Sequence, residues 1–407
     1  MWNSAKRWLP SLVVMLAILL AGVAGFTLGE SSSGVTNRPP EADEADFDIL
    51  DEIFEILDRD FVDGDRIDPS MLRAAAINGV LQSLGDPHTI YIDPQTVELG
   101  IDIASGMLQG IGAQVEQDPT TGKIVIVTPF RDSPAEAAGV RPGDIILAVD
   151  GESTDGWTVA QAVQRIRGSE GTEVTLTIEH PDGEIEDVTI TRASIVIPTV
   201  FTRQVEDING EPLSDIAYVE LQQFTNQTVR DLAVILKEIS QQGYNGLILD
   251  LRRNPGGLLN ATVQVADMFL DSGIILTQID QDGSRMEFEA RPGGEAIDIP
   301  LAVLVGPGSA SGAEVLAAAL RDNNRAVLIG ETTFGKGTVN VQRELSDGGA
   351  LFVSIARWLT PSGELIQGVG LMPDISVDLA EDELRTGIGT QLFNAIDYLQ
   401  ERFAAQP

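Results

Sequence analysis

Cysteine is absent from the 407 residues. That removes disulfides, thiol nucleophiles, Cys-ligated zinc and a lipidated N-terminal cysteine together, without fixing the compartment. Histidine is nearly absent: His88 in GDPHTIY and His180 in IEHPDGE are the only two. A Ser/His/Asp triad needs a histidine set against the nucleophile by a buried carboxylate, whereas His180 falls in an apparent hairpin turn of a β-rich stretch and His88 in a loop of a helical stretch, so both read as structural or exposed. Positive charge is scarce as well. With 26 Lys and Arg against 62 Asp and Glu, the formal net charge is −36. A surface of that sign repels phosphate backbones, so nucleic acid is excluded as a partner and the acidity reads as solvation.

The length fits two or three domains, and 43% hydrophobic with 22% charged residues is the balance of a folded chain. Lys6 and Arg7 precede an uncharged run from Trp8 to Leu28, which as a helix reaches about 30 Å, the thickness of a bilayer core. Residues 1–29 therefore read as a membrane anchor, with a cleaved signal segment as the rival because small residues follow the apolar run. In either case the basic residues precede it, so the remaining chain is expected outside the cytoplasm, on the periplasmic or extracellular face. Residues 30–44 (ESSSGVTNRPPEADE) have the composition of a tether.

Residues 45–104 show helical spacing at Phe47, Leu50, Ile53, Phe54 and Leu57 and again in MLRAAAINGVLQSLG, predicting a small helical subdomain. Its DRDFVDGDRID run lacks the ligand at Val62 and the Gly at Asp63 that a calcium loop needs, so it reads as a solvated turn. Residues 105–193 are short β-like runs parted by Gly, Pro and Asp turns, with one helical stretch, TVAQAVQRIRG. Across 194–380 strands alternate with helices, which predicts an α/β layer with a largely parallel sheet. Residues 381–407 end in another helical stretch, TQLFNAIDYLQERF, a candidate element for self-association. The fold class expected is thus a multidomain α/β protein.

Three segments carry chemistry. In LAVLVGPGSASGAEVLAAAL an apolar strand enters a Gly/Ser turn and then a helix, placing Ser309 and Ser311 where unpaired N–H groups and the helix dipole stabilise an oxyanion. A serine there also caps a helix, so the local pattern leaves nucleophile and cap open. Lysine sharpens the case. Only Lys6, Lys123, Lys237 and Lys336 occur, and Lys336 alone stands between glycines, in TTFGKGTVN. Arginine cannot give up its proton, whereas a desolvated lysine can act as a base. The third segment is LILDLRRNPGGLLNA, whose paired glycines at a strand-to-helix junction permit close backbone approach to an anion.

Taken together, and in this order, LGDPHTIY, GIGA, SPAEAAGVRPGDIILAVDG, RIRGSEGTEV, DLRRNPGG, GSASGAE, LIGETTFGKGTV and LTPSGELIQGVGLMPDI resemble the carboxyl-terminal processing peptidases, or tail-specific proteases. The resemblance covers nearly all of residues 45–380. It implies a PDZ domain over 105–193, an α/β Ser/Lys peptidase core over 194–380, and no metal or organic cofactor. It further implies that Ser311 is the nucleophile and Lys336, 25 residues on, the general base, with an oxyanion hole from the N–H groups of Gly257 and Gly312. Asn340 stands where the family usually carries a glutamine beside the lysine, offering the same amide on a shorter stem. The PDZ part implies capture of a protein's free C-terminus, preferably apolar, by the loop Gly110, Ile111, Gly112 and Ala113. Arg167 is implied as a coupling residue between PDZ and core.

For neutral lysine to serve as base its pKa must drop by roughly two to three units from about 10.4, which burial supplies. Phe334 and Val339 are the expected walls, and the LTPSGELIQGVGL segment, 359–371, is expected to complete the catalytic sheet or groove. The expected activity is endoproteolysis through an acyl-enzyme on protein or peptide substrates with accessible C-termini. The rival from another class is a PDZ adaptor that binds tails without cutting, and a third reading, a His-dependent PDZ protease, fails on the positions of the two histidines. A membrane and a second copy of the chain are the further partners expected.

Overall fold

The computed structural model describes residues 48–404, except 65–66, 95–96, 98–106, 131, 197 and 380–387. The expected anchor and tether, 1–44, lie outside the described residues. Among those described, no helix is long and apolar enough to cross a membrane.

Two strands set the architecture of the α/β layer. Gly246–Asp250 and Leu301–Val305 are buried at every position, the pattern of central parallel strands covered on both faces. They lie in the middle of a six-stranded sheet ordered Val200–Thr202, Ile216–Leu221, Gly246–Asp250, Leu301–Val305, Val327–Gly330, Ile375–Ser376. Only the first pair is antiparallel. Alternate side chains feed two cores. Leu247, Leu249, Val303 and Val305 join the helices Asn226–Gln242, Leu259–Asp267 and Gly312–Asp322 on one face. Ile248, Ala302 and Leu304 meet Leu392, Ala395, Ile396 and Leu399 of the closing helix Thr390–Ala404 on the other. That helix was a candidate for self-association, but its apolar stripe is occupied by its own sheet.

A second, antiparallel sheet runs Ile90–Ile92, Ala350–Leu359, Ile274–Asp280, Arg285–Glu289, with Thr338–Glu344 on the free side of Ala350–Leu359. The strand Ile90–Ile92 comes from the N-terminal helical part, so that part is tied to the hairpin that follows Lys336. Its helices, Asp48–Asp60 and Pro69–Gln82, bury none of their residues; Asp68 caps the second by accepting from Ser70 N–H (2.8 Å).

Between these lies the β-rich module. Its main sheet is ordered Ala113–Gln117, Ile124–Pro129, Ile145–Val149, Glu173–Glu179, Ile185–Thr191, all antiparallel, with Glu152–Ser153 on Ile145–Val149. Period-two burial fits the sequence: Val174, Leu176 and Ile178 point inward, against Ile124, Ile126 and Ile146. The helix Val159–Ile166 closes the module, started by a reciprocal cap between Thr158 and Gln161.

Candidate active site

The carboxyl ends of the two buried strands deliver the two sequence motifs to one place, as open parallel sheets do. After Gly246–Asp250 the chain turns through Asn254, Pro255, Gly256 and Gly257; after Leu301–Val305 it turns through Ser309 to Ser311. The turns interlock. Ala310 N–H donates to Asn254 O (3.0 Å), and Ser309 Oγ donates to Leu251 O (2.8 Å) while accepting from Gly306 N–H. Ser309 is fully buried by this, a fastener between turns.

Ser311 differs. It precedes the helix Gly312–Asp322 at φ 50°, ψ −114°, a conformation costly for a non-glycine residue and retained where the surroundings impose it. Its N–H donates to Glu314 Oε2 (2.8 Å), three residues on. The same oxygen accepts the N–H of Lys336 (2.9 Å), while Glu314 Oε1 takes the Gly335 N–H (2.7 Å) and the Thr333 hydroxyl (2.5 Å). One buried carboxylate therefore ties the backbones of Ser311 and Lys336. Burial pushes Glu314 above the usual carboxylate range, against the pull of those four donors.

Lys336 is 8% exposed. Among the described residues its ammonium nitrogen makes no hydrogen bond or ion pair, and it lies 5.6 Å from the centre of the Phe352 ring. Burial lowers its pKa, opposed by the charges of Asp86 and Glu314. Of the expected walls, Phe334 is 47% exposed with its N–H on Ser309 O, while the ring beside the amine is that of Phe352, itself 3% exposed. Val339 is partly buried. Trp358, itself buried, donates its indole N–H to Lys336 O (3.1 Å).

Asn340 does not reach Lys336. Its Nδ2 donates to His88 O (3.0 Å) and to Ser354 Oγ (2.9 Å), so the shorter amide holds the Asp86–Thr89 loop against the lysine hairpin. Within that loop Asp86 accepts the His88 N–H (3.0 Å) and the Thr89 hydroxyl (2.7 Å). His88 is partly buried, its ring 6.3 Å from that of Phe334; burial first, then the Lys336 charge, lower its pKa. His180 is far from this chemistry, buried between Asp144 (2.7 Å) and Glu186 (2.8 Å) in the β module.

Gly312 follows Ser311 directly, and Gly257 follows Gly256, which packs against Ser311. Gly312 is the first residue of its helix, so its N–H has no intrahelical acceptor. Gly257, at φ 147°, bridges to Phe224, and a Cβ there would collide with Phe224 O. Neither N–H finds a main-chain acceptor among the described residues. Gly256 is equally constrained: its own Cβ would stand 2.8 Å from Ser311 Cβ, and its N–H is spent on Asn254 Oδ1. The availability of its N–H is what separates Gly257 from Gly256.

The 359–371 segment packs on the lysine loop. Gln367 Oε1 accepts the Gly337 N–H (2.7 Å), Gly368 N–H donates to Gly335 O, and Thr333 and Leu371 exchange hydrogen bonds. In the β module, Gly110, Ile111, Gly112 and Ala113 line a cavity of about 180 Å³ with Phe130, Val163 and Arg167. The Ile111 and Gly112 carbonyls accept from Ala135 and Phe130 (2.8 Å each). Burial lowers the Arg167 pKa.

Sequence reasoning missed Glu314, Gln367, Asp86 and the trio Tyr218, Asp250, Arg252, in which Asp250 accepts the Tyr218 hydroxyl (2.6 Å) and the Arg252 guanidinium. Glu314 was findable, since Ser311-x-x-Glu314 has capping-box spacing. The others depend on contacts between segments far apart in the chain.

Comparison with known proteins agrees with this layout. The profile described as Peptidase family S41 matches residues 215–377, and a PDZ domain profile matches 125–180. The carboxy-terminal processing protease CtpA of Bacillus subtilis is 34% identical over 370 residues, 91% of this chain and 77% of that protein. The carboxyl-terminal-processing protease of Synechocystis sp. is 37% identical over 328 residues, 80% of this chain and 76% of the relative. Among solved structures, the photosystem II D1 C-terminal processing protease is 31% identical, with a TM-score of 0.48, covering 81% of this chain and 92% of that one. The chain belongs to peptidase family S41, as a PDZ-bearing serine peptidase of the carboxyl-terminal processing kind.

Proposed function

We propose that the protein is a Ser311/Lys336 endopeptidase, anchored by its N-terminal segment with the catalytic part outside the cytoplasm, that captures protein C-termini in its PDZ groove and cleaves the captured chains. The observation that carries the dyad is the Glu314 carboxylate, whose Oε2 accepts the N–H of both Ser311 and Lys336. The uncharged Trp8–Leu28 run and the basic residues before it support the anchor and its orientation.

Lys336, whose pKa burial lowers, in its neutral form takes the Ser311 hydroxyl proton as Oγ attacks the peptide carbonyl. The developing oxyanion meets the N–H groups of Gly257 and Gly312, which are fixed before the reaction and so cost no reorganisation. The Lys336 ammonium then gives its proton to the leaving amine; neutral again, Lys336 takes a proton from the water that attacks the acyl carbonyl and returns it to Ser311 Oγ as the acid product leaves. Ser311 Oγ and Lys336 Nζ make no hydrogen bond to each other in the free chain, a looseness common in unliganded sites. In the PDZ module the Ile111 and Gly112 N–H groups lack main-chain acceptors among the described residues; they take the tail carboxylate, and Val159, Val163 and Ile166 receive an apolar terminal side chain. Arg167, in the same groove, couples tail capture to the core.

The test is cleavage of unfolded proteins with apolar or charged C-termini by wild type, Ser311→Ala and Lys336→Ala, with cuts located by mass spectrometry. Wild type is expected to cut apolar-tailed chains while both variants bind tails without cutting. Equal tail binding with cutting by none of the three would replace this reading with a tail-binding adaptor.

A further inference from the structure

The closing helix Thr390–Ala404 follows the last strand of the parallel sheet and lies beyond the residues matched by the peptidase profile. Its second residue, Gln391, is fully buried. A buried amide is tolerated only when both ends are paired. Gln391 meets that condition, since its Nε2 donates to Val377 O (2.8 Å) and its Oε1 accepts from Arg252 Nη1 (3.2 Å). The first bond fixes which way the amide points, so its oxygen faces the guanidinium.

Arg252 is where the two catalytic turns meet. One side of its fork grips Asp250, through Nη2 (2.6 Å) and Nε (3.0 Å). Its main chain abuts the nucleophile turn so closely that a Cβ on Gly308 would lie 2.5 Å from Arg252 O. On either side, Leu251 O accepts from Ser309 Oγ and from Asn254 N–H, and Asn254 Oδ1 holds the Gly256 N–H next to Gly257. The main chain at Leu251 and Arg252 is thereby linked to the Gly256–Gly257 turn through two hydrogen bonds, Asn254 N–H to Leu251 O and Gly256 N–H to Asn254 Oδ1.

We propose that Gln391 is a positioning residue for the oxyanion turn: by holding Arg252 Nη1 from outside the sheet, the closing helix sets the direction of the Gly257 N–H. This rests on the Ser/Lys reading above. The effect falls on the transition state, where the oxyanion exists, and leaves substrate capture alone.

The experiment uses the full chain with Gln391→Met, which keeps the volume and deletes both bonds, and Gln391→Glu, which keeps an acceptor for Arg252. Steady-state cleavage of an apolar-tailed protein is read together with tail-peptide affinity and inhibition by a peptide aldehyde that forms a tetrahedral adduct on serine. The Met variant is expected to lose roughly tenfold in kcat, below the 10²–10³ typical of deleting an oxyanion donor. Its KM and tail affinity stay at wild-type values, and aldehyde inhibition weakens by the same factor as kcat. The Glu variant is expected to recover kcat to within about threefold. Wild-type kcat in the Met variant overturns the proposal. So does a joint fall of kcat and thermal midpoint that Gln391→Glu fails to rescue, since that marks packing alone. Ser311→Ala, run beside them, separates the premises: cleavage surviving that change brings down the Ser/Lys reading itself.

Discussion

The PDZ groove and the catalytic turns each offer backbone N–H groups to an anionic oxygen, but they hold them differently. In the groove Ile111 and Gly112 are fixed through their carbonyls, and a buried ionisable pair of the module, His180 with Asp144, is at the 141–144 turn and the hairpin opposite rather than at the loop. In the core, the N–H of Gly312 follows a residue forced to φ 50°, Gly257 is wedged on Phe224, and buried Glu314, Arg252 and Lys336 all border the turns. A tail carboxylate is a stable ion, present before and after capture, so its donors need no buried charges around them. An oxyanion lasts only through the transition state, so its donors must be set beforehand.

The comparison breaks first at the nucleophile. Ser311→Ala is expected to lower kcat/KM by about 10⁴-fold or more with tail affinity unchanged, as measured by peptide cleavage and calorimetric titration. Next come two glycines, one from each site. Gly257→Ala is expected to cost about 10²–10³ in kcat, because the turn must open to admit the methyl group. Gly112→Ala, whose Cβ would stand 2.5 Å from Ser133 Cβ at φ 76°, is expected to raise KM about tenfold for tailed substrates and to leave kcat near wild type. Should the two changes affect kcat and KM alike, the division of labour is wrong.

A smaller effect separates the regions by pH. Cleavage is expected to rise about tenfold per pH unit below the folded Lys336 pKa and then level off. The unfolded chain binds more protons than the folded one between that lowered value and the ordinary 10.5, so the Lys336 contribution to stability becomes more favourable as pH rises through this window. Lys336→Met removes both dependences and is expected to raise the thermal midpoint at neutral pH. His180 runs the other way. Its bonds to Asp144 and then Glu186 raise its pKa, so its stabilisation is complete below the ordinary 6.5 and fades as pH rises through the folded value. His180→Asn is expected to lower the midpoint by a few degrees at pH 6 and less at pH 8, with kcat unchanged.

The alternation of strands and helices, the period-two module and the two glycine turns were all legible, because each depends on residues adjacent in sequence. Ser309 and Ser311 were not separable locally, since both sit in the same turn; what distinguishes them is Leu251, about 60 positions away, which takes the Ser309 hydroxyl. Phe334 was assigned to the lysine's wall because it is two residues away, whereas the ring beside the amine belongs to Phe352, brought by the opposing strand of the hairpin. The link from Asn340 to His88 was hidden for the same reason: it joins two distant segments.

The central claim is that burial makes Lys336 neutral enough to act as a base. Only four lysines occur in the chain, so ¹³Cε-lysine labelling with an NMR pH titration resolves each, and the Lys336→Met spectrum assigns the resonance. The account predicts that the Lys336 signal titrates well below the others, with a midpoint matching the rise in cleavage rate. A Lys336 signal titrating with the rest near 10.5 would contradict it.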